Sequence, residues 1–167
     1  MKKILLLSCV SLFFLGCGNF LDINPESEVV NDDMFSTAEG VEDALYGVYM
    51  SMVKEDMYGG DMSVLIPELL GQNFITMDDL YIYLSSLDYN NTYARSKIKR
   101  MWIASYLVIS YLNNIIENLE HKSEKDFNYY RLYQGEALGL RAAIHFDLLR
   151  LFAVHTTSTD ESAKTKA

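Results

Sequence analysis

Residues Gly135 to Phe152 read GEALGLRAAIHFDLLRLF. At 100° per residue, Leu140, Ile144, Leu148 and Leu151 share one face, while Leu138, Phe146 and Leu149 lie nearly opposite. The stretch therefore reads as a helix that is apolar on two sides, and such a helix must be covered on two sides. A single neighbouring helix covers one of them. Three large apolar side chains left in water would forfeit roughly 1.5–3 kcal/mol each, so the chain is expected to bind a hydrophobic dye and to self-associate.

The next signal upstream is MWIASYLVISYLNNIIENLEH, Met101 to His121. Trp102, Tyr106, Ile109, Asn113 and Ile116 step by four and three along one face, and Ile103, Leu107, Leu112, Ile115 and Leu119 widen it. Residues Met101 to Ile116 carry no charge, but the run is short and contains Ser105, Ser110, Asn113 and Asn114, which favours a buried helix over a membrane span. Trp102, Tyr106 and Asn113 are expected to be core and helix-packing residues. The brief turn HKSEKD, with Ser123 placed to cap, leads into the helix that starts near Phe127 and makes the two helices an antiparallel hairpin. Asp147 and Arg150 form an ordinary i,i+3 pair, and Arg141 is expected to order the hairpin.

Further upstream, FSTAEGVEDALYGVYMSMV pairs Ser36 with Glu39 in the pattern of a capping box. Val41, Leu45, Val48 and Met52 follow at helical spacing, predicting a helix from about Thr37 to Lys54. YGGD, Tyr58 to Asp61, ends it with residues tolerant of positive φ. In MSVLIPELLGQNF, Pro67 predicts a helix that begins near it. The periodicity fades in ITMDDLYIYLSSLDYNNTYARSK, read as mostly loop with a short strand at Leu80 to Leu84. Loops carry function more often than cores do, so Tyr81, Tyr83, Tyr89, Asn90 and Asn91 are the expected ligand contacts; solvated or interface tyrosines are the alternative.

The N-terminus has a short basic start, an apolar stretch from Ile4 to Leu15, and Gly16 just ahead of Cys17. That layout is a secretory signal peptide, too short to span a membrane. FLGC also looks like a bacterial lipobox, which makes Cys17 the expected lipid-attachment site, against the alternative of an ordinary export signal with an idle thiol. The remaining cysteine, Cys9, lies inside the signal, so Cys17 has no mature disulfide partner. Two or more acyl chains hold a protein stably on a membrane.

The full chain of 167 residues carries a formal net charge of −9. Loss of residues 1–16 removes Lys2 and Lys3 and makes the charge more negative, a surface that repels nucleic acid and anionic membrane. His121, His145 and His155 have no i,i+4 histidine partner and no nearby cysteine, so no zinc-type site is expected. No G-x-S-x-G elbow or Gly-rich phosphate loop occurs, and Asp78 with Asp79 is an unsupported pair, so neither catalysis nor a cofactor is expected. The expected organisation is a signal peptide at 1–16, a lipidated extended tether at 17–35, a helical domain at 36–155 and a polar tail at 156–167.

FLDINP after the lipobox, FSTAEGVEDALYGVY, the frame W-x3-Y-x2-I-x3-N from Trp102 to Asn113, and GEALGLRAAIHFDLLRLF together resemble the N-terminal part of the SusD/RagB family. The last is the most specific, through Glu136, Ala137, Leu140, Arg141, Ala142, Phe146, Asp147, Leu148 and Phe152. The resemblance implies an all-α fold of helical hairpins similar to tetratricopeptide repeats. It also implies a surface-exposed outer-membrane lipoprotein that captures a glycan or other nutrient and delivers it to a TonB-dependent, SusC-like transporter, without catalysis. Sugar rings stack on aromatic faces and their hydroxyls need fixed donors and acceptors. Family members continue past the LLRLF helix, usually through a Gly and a Pro; Ala153, Val154 and His155 stand there, so the domain is expected to be truncated. The alternative is a structural lipoprotein whose helices dock another protein.

Overall fold

The computed structural model describes residues 31–79 and 81–153. The expected signal peptide, the expected lipobox with Cys17 and the polar tail lie outside the described residues. Within them every regular element is helical: α1 (Asn31–Met34), α2 (Ala38–Met52), α3 (Ile66–Leu70), α4 (Ile82–Ser85), α5 (Thr92–Leu119) and α6 (Tyr130–Phe152). One π-helical turn, Asp61–Leu65, leads directly into α3. The fold of the described residues is all-α, as the periodicity and the resemblance imply.

Three long helices enclose the core. α5 packs against both α2 and α6, and α2 also touches α6. Val41, Leu45 and Val48 enter from α2, Met101, Val108, Leu112 and Ile115 from α5, and Ala137, Ile144 and Leu148 from α6. The expected hairpin is present. Arg141 Nη1 donates to Asn113 Oδ1 at 2.7 Å, and the Trp102 and Phe152 rings meet edge to face at 4.9 Å. These contacts run α5 and α6 in opposite directions. Asp147 and Arg150 pair at 3.0 Å as expected, and Asp147 also accepts from the Tyr58 hydroxyl at 2.8 Å, tying the turn after α2 to α6.

Several local expectations change. The α2 cap is Thr37, one residue beyond Ser36: its Oγ1 accepts from the Gly40 N–H at 3.1 Å, and Phe35, two residues ahead, is in the core. In YGGD the glycines supply space and not positive φ, since no described glycine has φ > 0. A Cβ on Gly59 would lie 2.1 Å from the Val53 carbonyl oxygen. Pro67 does stand in the first turn of α3, where its missing N–H costs nothing, but the backbone is already helical before it. The expected strand at Leu80 to Leu84 is replaced by α4. Alternating tyrosines mimic a strand period, yet a strand needs a neighbour to pair its backbone, and the described residues hold none.

α5 begins at Thr92, inside the stretch read as loop. The Asn91 side chain caps it by accepting from the Tyr93 N–H at 2.8 Å. Ser123 caps the turn between the hairpin helices and not α6: its hydroxyl donates to Asp126 Oδ2 at 2.7 Å. Trp102 and Tyr106 are not core residues. They are 41% and 43% exposed, and Asn113 is exposed too. The buried stripe of α5 is Ala94, Lys97, Met101, Ser105, Val108, Leu112, Ile115 and Leu119, and the aromatic pair sits about 100–140° round the helix from it.

Candidate functional site

Lys97 lies in the apolar stripe of α5, only 1% exposed. A buried ammonium needs partners. Its Nζ donates to Glu55 Oε1 at 2.7 Å, Asp61 Oδ2 at 3.0 Å and the Tyr81 hydroxyl at 2.7 Å. The Tyr81 hydroxyl in turn donates to Asp61 Oδ1 at 2.7 Å, and Nζ stands 4.5 Å from the centre of the Tyr81 ring. Asp61 is fully buried. Burial pulls the Lys97 ammonium down, but the hydrogen bonds to Glu55, Tyr81 and Asp61 outweigh it and hold its pKa above the ordinary value. Burial, with the Asp61 carboxylate, pushes Tyr81 up to about 12 although the bond from Lys97 opposes it.

The consequence is positional. Glu55 follows α2, Asp61 opens the π-turn, Tyr81 precedes α4 and Lys97 is on α5. One charge cluster therefore ties the middle of the irregular segment 71–91, at Tyr81, to the π-turn and to α5. Sequence reasoning missed this cluster because residues 75–97 showed no stripe. The available signal was the spacing Ala94, Lys97, Met101, which places a lysine where only an apolar or partnered side chain belongs.

The five expected ligand residues do not share one role. Tyr81 spends its hydroxyl within the charge cluster, and Asn91 spends its side chain on the α5 cap. Tyr83 is half-buried and stacks on Tyr93, with ring centres 6.2 Å apart and planes 9° from parallel. Tyr89 is 49% exposed, and Asn90 is exposed beside it, its N–H donating to Asp88 Oδ1 at 3.1 Å. Phe74 and Tyr93 are exposed on the same segment and its continuation into α5. The segment presents aromatic faces and a side-chain amide to solvent.

A second aromatic cleft, of about 300 Å³, lies between α2 and α6, lined by Glu42, Leu45, Tyr46, Tyr49, Tyr133 and Glu136. Two hydrogen bonds cross it: the Tyr49 hydroxyl donates to Glu136 and the Tyr133 hydroxyl donates to Glu42. The bond to Glu42, then burial, pushes Tyr133 up to about 12, and the bond to Glu136 raises Tyr49. The carboxylates are occupied in stitching the two helices. Glu136, which carries part of the family motif, works here as a helix fastener.

Fold and site together define an all-α domain with an aromatic, amide-bearing surface segment held by a buried ion cluster. A family model described as SusD-like, starch-binding associating with outer membrane, matches residues 19–166. The chain belongs to the SusD/RagB family. No curated protein and no solved structure matches it. Among the described residues no helix is long and apolar enough to cross a membrane.

Proposed function

We propose that this protein is a glycan-capturing lipoprotein of the outer membrane, held at the cell surface by acylation of Cys17, which passes its ligand to a TonB-dependent, SusC-like transporter and performs no catalysis itself. The observation that carries the reading is the family match over residues 19–166, whose description is starch binding with outer-membrane association. The pinned segment suits that chemistry. Tyr89, the Tyr83–Tyr93 stack and Phe74 offer faces for the C–H side of a sugar ring, and Asn90 offers a donor and an acceptor for hydroxyls. Tyr81 and Asn91 support the surface from behind. The helices beneath it are read as hairpins of the tetratricopeptide kind.

Calorimetry with a starch-derived oligosaccharide tests the site. Tyr89→Ala with Asn90→Ala is expected to weaken binding at least about tenfold, equivalent to roughly 1.4 kcal/mol, while leaving the thermal melt almost unchanged, because both side chains are exposed. Unaltered affinity in this variant would remove the segment from the binding site. The anchor is tested separately: a fatty-acid analogue fed to cells should label the wild-type chain and not Cys17→Ala, and equal labelling of both would refute it.

A further inference from the structure

The cleft between α2 and α6 holds charge that helix packing does not use up. Glu42 on α2 and Glu136 on α6 each accept one tyrosine hydroxyl across it, from Tyr133 and Tyr49. A carboxylate has about four lone-pair sites, so each keeps capacity for further donors. Among the described residues neither pairs with a lysine or an arginine. Glu39 adds to the same negative field: behind the bond to Glu42 and burial, its charge too raises Tyr133. The remaining lining is aromatic and apolar. Leu45 and Tyr133 are buried there, while Tyr46 and Tyr49 are 67% and 39% exposed, so tyrosine rings and carboxylates border one space open to solvent.

We propose that this cleft binds a protonated amino sugar, its ammonium taken up by the Glu42 and Glu136 carboxylates and its ring packed against Tyr46 and Tyr49. The lining selects that class. Two carboxylates ask for a cation that donates hydrogen bonds, which a primary ammonium does and a quaternary one cannot. A divalent metal fits less well, because calcium takes roughly six to eight oxygen ligands and no group of three metal-ligating side chains occurs among the described residues. Tyrosine rings attract an ammonium through their faces and pack on the C–H face of a sugar. The volume of about 300 Å³ lies at the small end of ligand pockets and suits a single sugar unit. None of these residues belongs to segment 71–91, so the cleft is a site of its own and does not depend on the oligosaccharide surface proposed there.

Calorimetry on the whole chain at about pH 6, where a sugar amine carries its proton and carboxylates remain ionised, tests the site with glucosamine, N-acetylglucosamine and ethanolamine. Glucosamine is expected to bind at least about tenfold more tightly than either of the others. N-acetylglucosamine keeps the ring and loses the charge, and ethanolamine keeps the charge and loses the ring. Glu42→Gln with Glu136→Gln is expected to weaken glucosamine binding at least about tenfold, while the glutamine oxygens still accept from the tyrosine hydroxyls and keep the helices joined. Tyr46→Ala, at a side chain 67% exposed, is expected to weaken it about threefold with an unchanged thermal melt. Absence of glucosamine binding overturns the proposal. So does ethanolamine binding as tightly as glucosamine, which would mean that the acidic chain merely attracts cations, and so does full affinity in the double glutamine variant. If that variant melts early, Tyr46→Ala decides alone, and unchanged affinity there overturns the proposal as well.

Discussion

Lys97→Met is expected to destabilise the protein by about 3–5 kcal/mol, because it leaves the Asp61 carboxylate buried without its cation. Asp61 is 0% exposed, so water cannot replace the ammonium without opening the π-turn. Adding Asp61→Leu to Lys97→Met should recover most of the loss, since a buried pair exchanged for apolar side chains is often neutral or better. Urea denaturation of the single and double variants measures both numbers. A loss under about 1 kcal/mol for Lys97→Met would mean that the cluster contributes little more than an exposed ion pair.

The same cluster sets the pH dependence. Lys97 has a raised pKa, so its contribution is fully present below the unfolded lysine value and is lost as pH rises through the folded value. Tyr81, pushed up to about 12, behaves in the same direction from its ordinary value of 10.0. Glu55 runs the other way: the hydrogen bond from Lys97 lowers its pKa, so its contribution is present above 4.5 and is lost as pH falls through the folded value. Stability should therefore be flat across neutral pH and fall steeply on the alkaline side from about pH 10 upward. In Lys97→Met the lysine part of that alkaline fall disappears.

Gly40→Ala is expected to destabilise by about 1–3 kcal/mol, the cost of forcing a backbone shift in a packed region. Gly40 is the third residue of α2, where alanine is ordinarily the better helix former and gains roughly 0.4–1 kcal/mol. Here a Cβ would sit 1.8 Å from the Met34 carbonyl oxygen and 2.8 Å from its carbonyl carbon. That backbone cannot retreat without dragging Phe35, which is 2% exposed, out of the core. Gly139→Ala on α6 is the control, since a Cβ there meets nothing within 4 Å, and it should stabilise by the ordinary amount. If both substitutions stabilise alike in thermal melts, the approach of Met34 to α2 is looser than its geometry.

The long helices were legible because burial imposes its period on the apolar residues. Val41, Leu45 and Val48 on α2, and Leu112, Ile115 and Leu119 on α5, repeat at helical spacing and are buried where that spacing places them. The hairpin was legible from the shortness of the HKSEKD turn, and the resemblance rested on motif residues in order along the chain. Two faces of α6 were legible as well: Ile144 and Leu148 are buried, while Leu138, Phe146 and Leu149 are exposed.

The candidate site was legible only in part. Aromatic and amide density singled out a segment that does expose aromatic faces, but density says nothing about which hydroxyl is already spent. Tyr81 and Tyr89 look alike in the sequence; one is bonded to Lys97 and Asp61, which lie 16 and 20 residues away from it, and the other faces water. Trp102 and Tyr106 were misplaced for a related reason. A wide apolar face on a helix does not reveal how much of its width the neighbours cover: α2 and α6 bury the flank holding Met101 and Leu112, while Phe152 and His145 of α6 touch the aromatic flank and leave Trp102 and Tyr106 partly exposed.

Helical class and hairpin order were thus properties of local spacing, because hydrogen bonds four residues apart and a 3.6-residue period are written into consecutive side chains. The buried lysine with its carboxylates, the tyrosines that serve as fasteners, the glycine that must stay a glycine and the bare outer side of the hairpin were decided by the tertiary structure. Each of them depends on which distant segment arrives at a given side chain, and that is set by how the helices pack against one another and not by the period of any one of them.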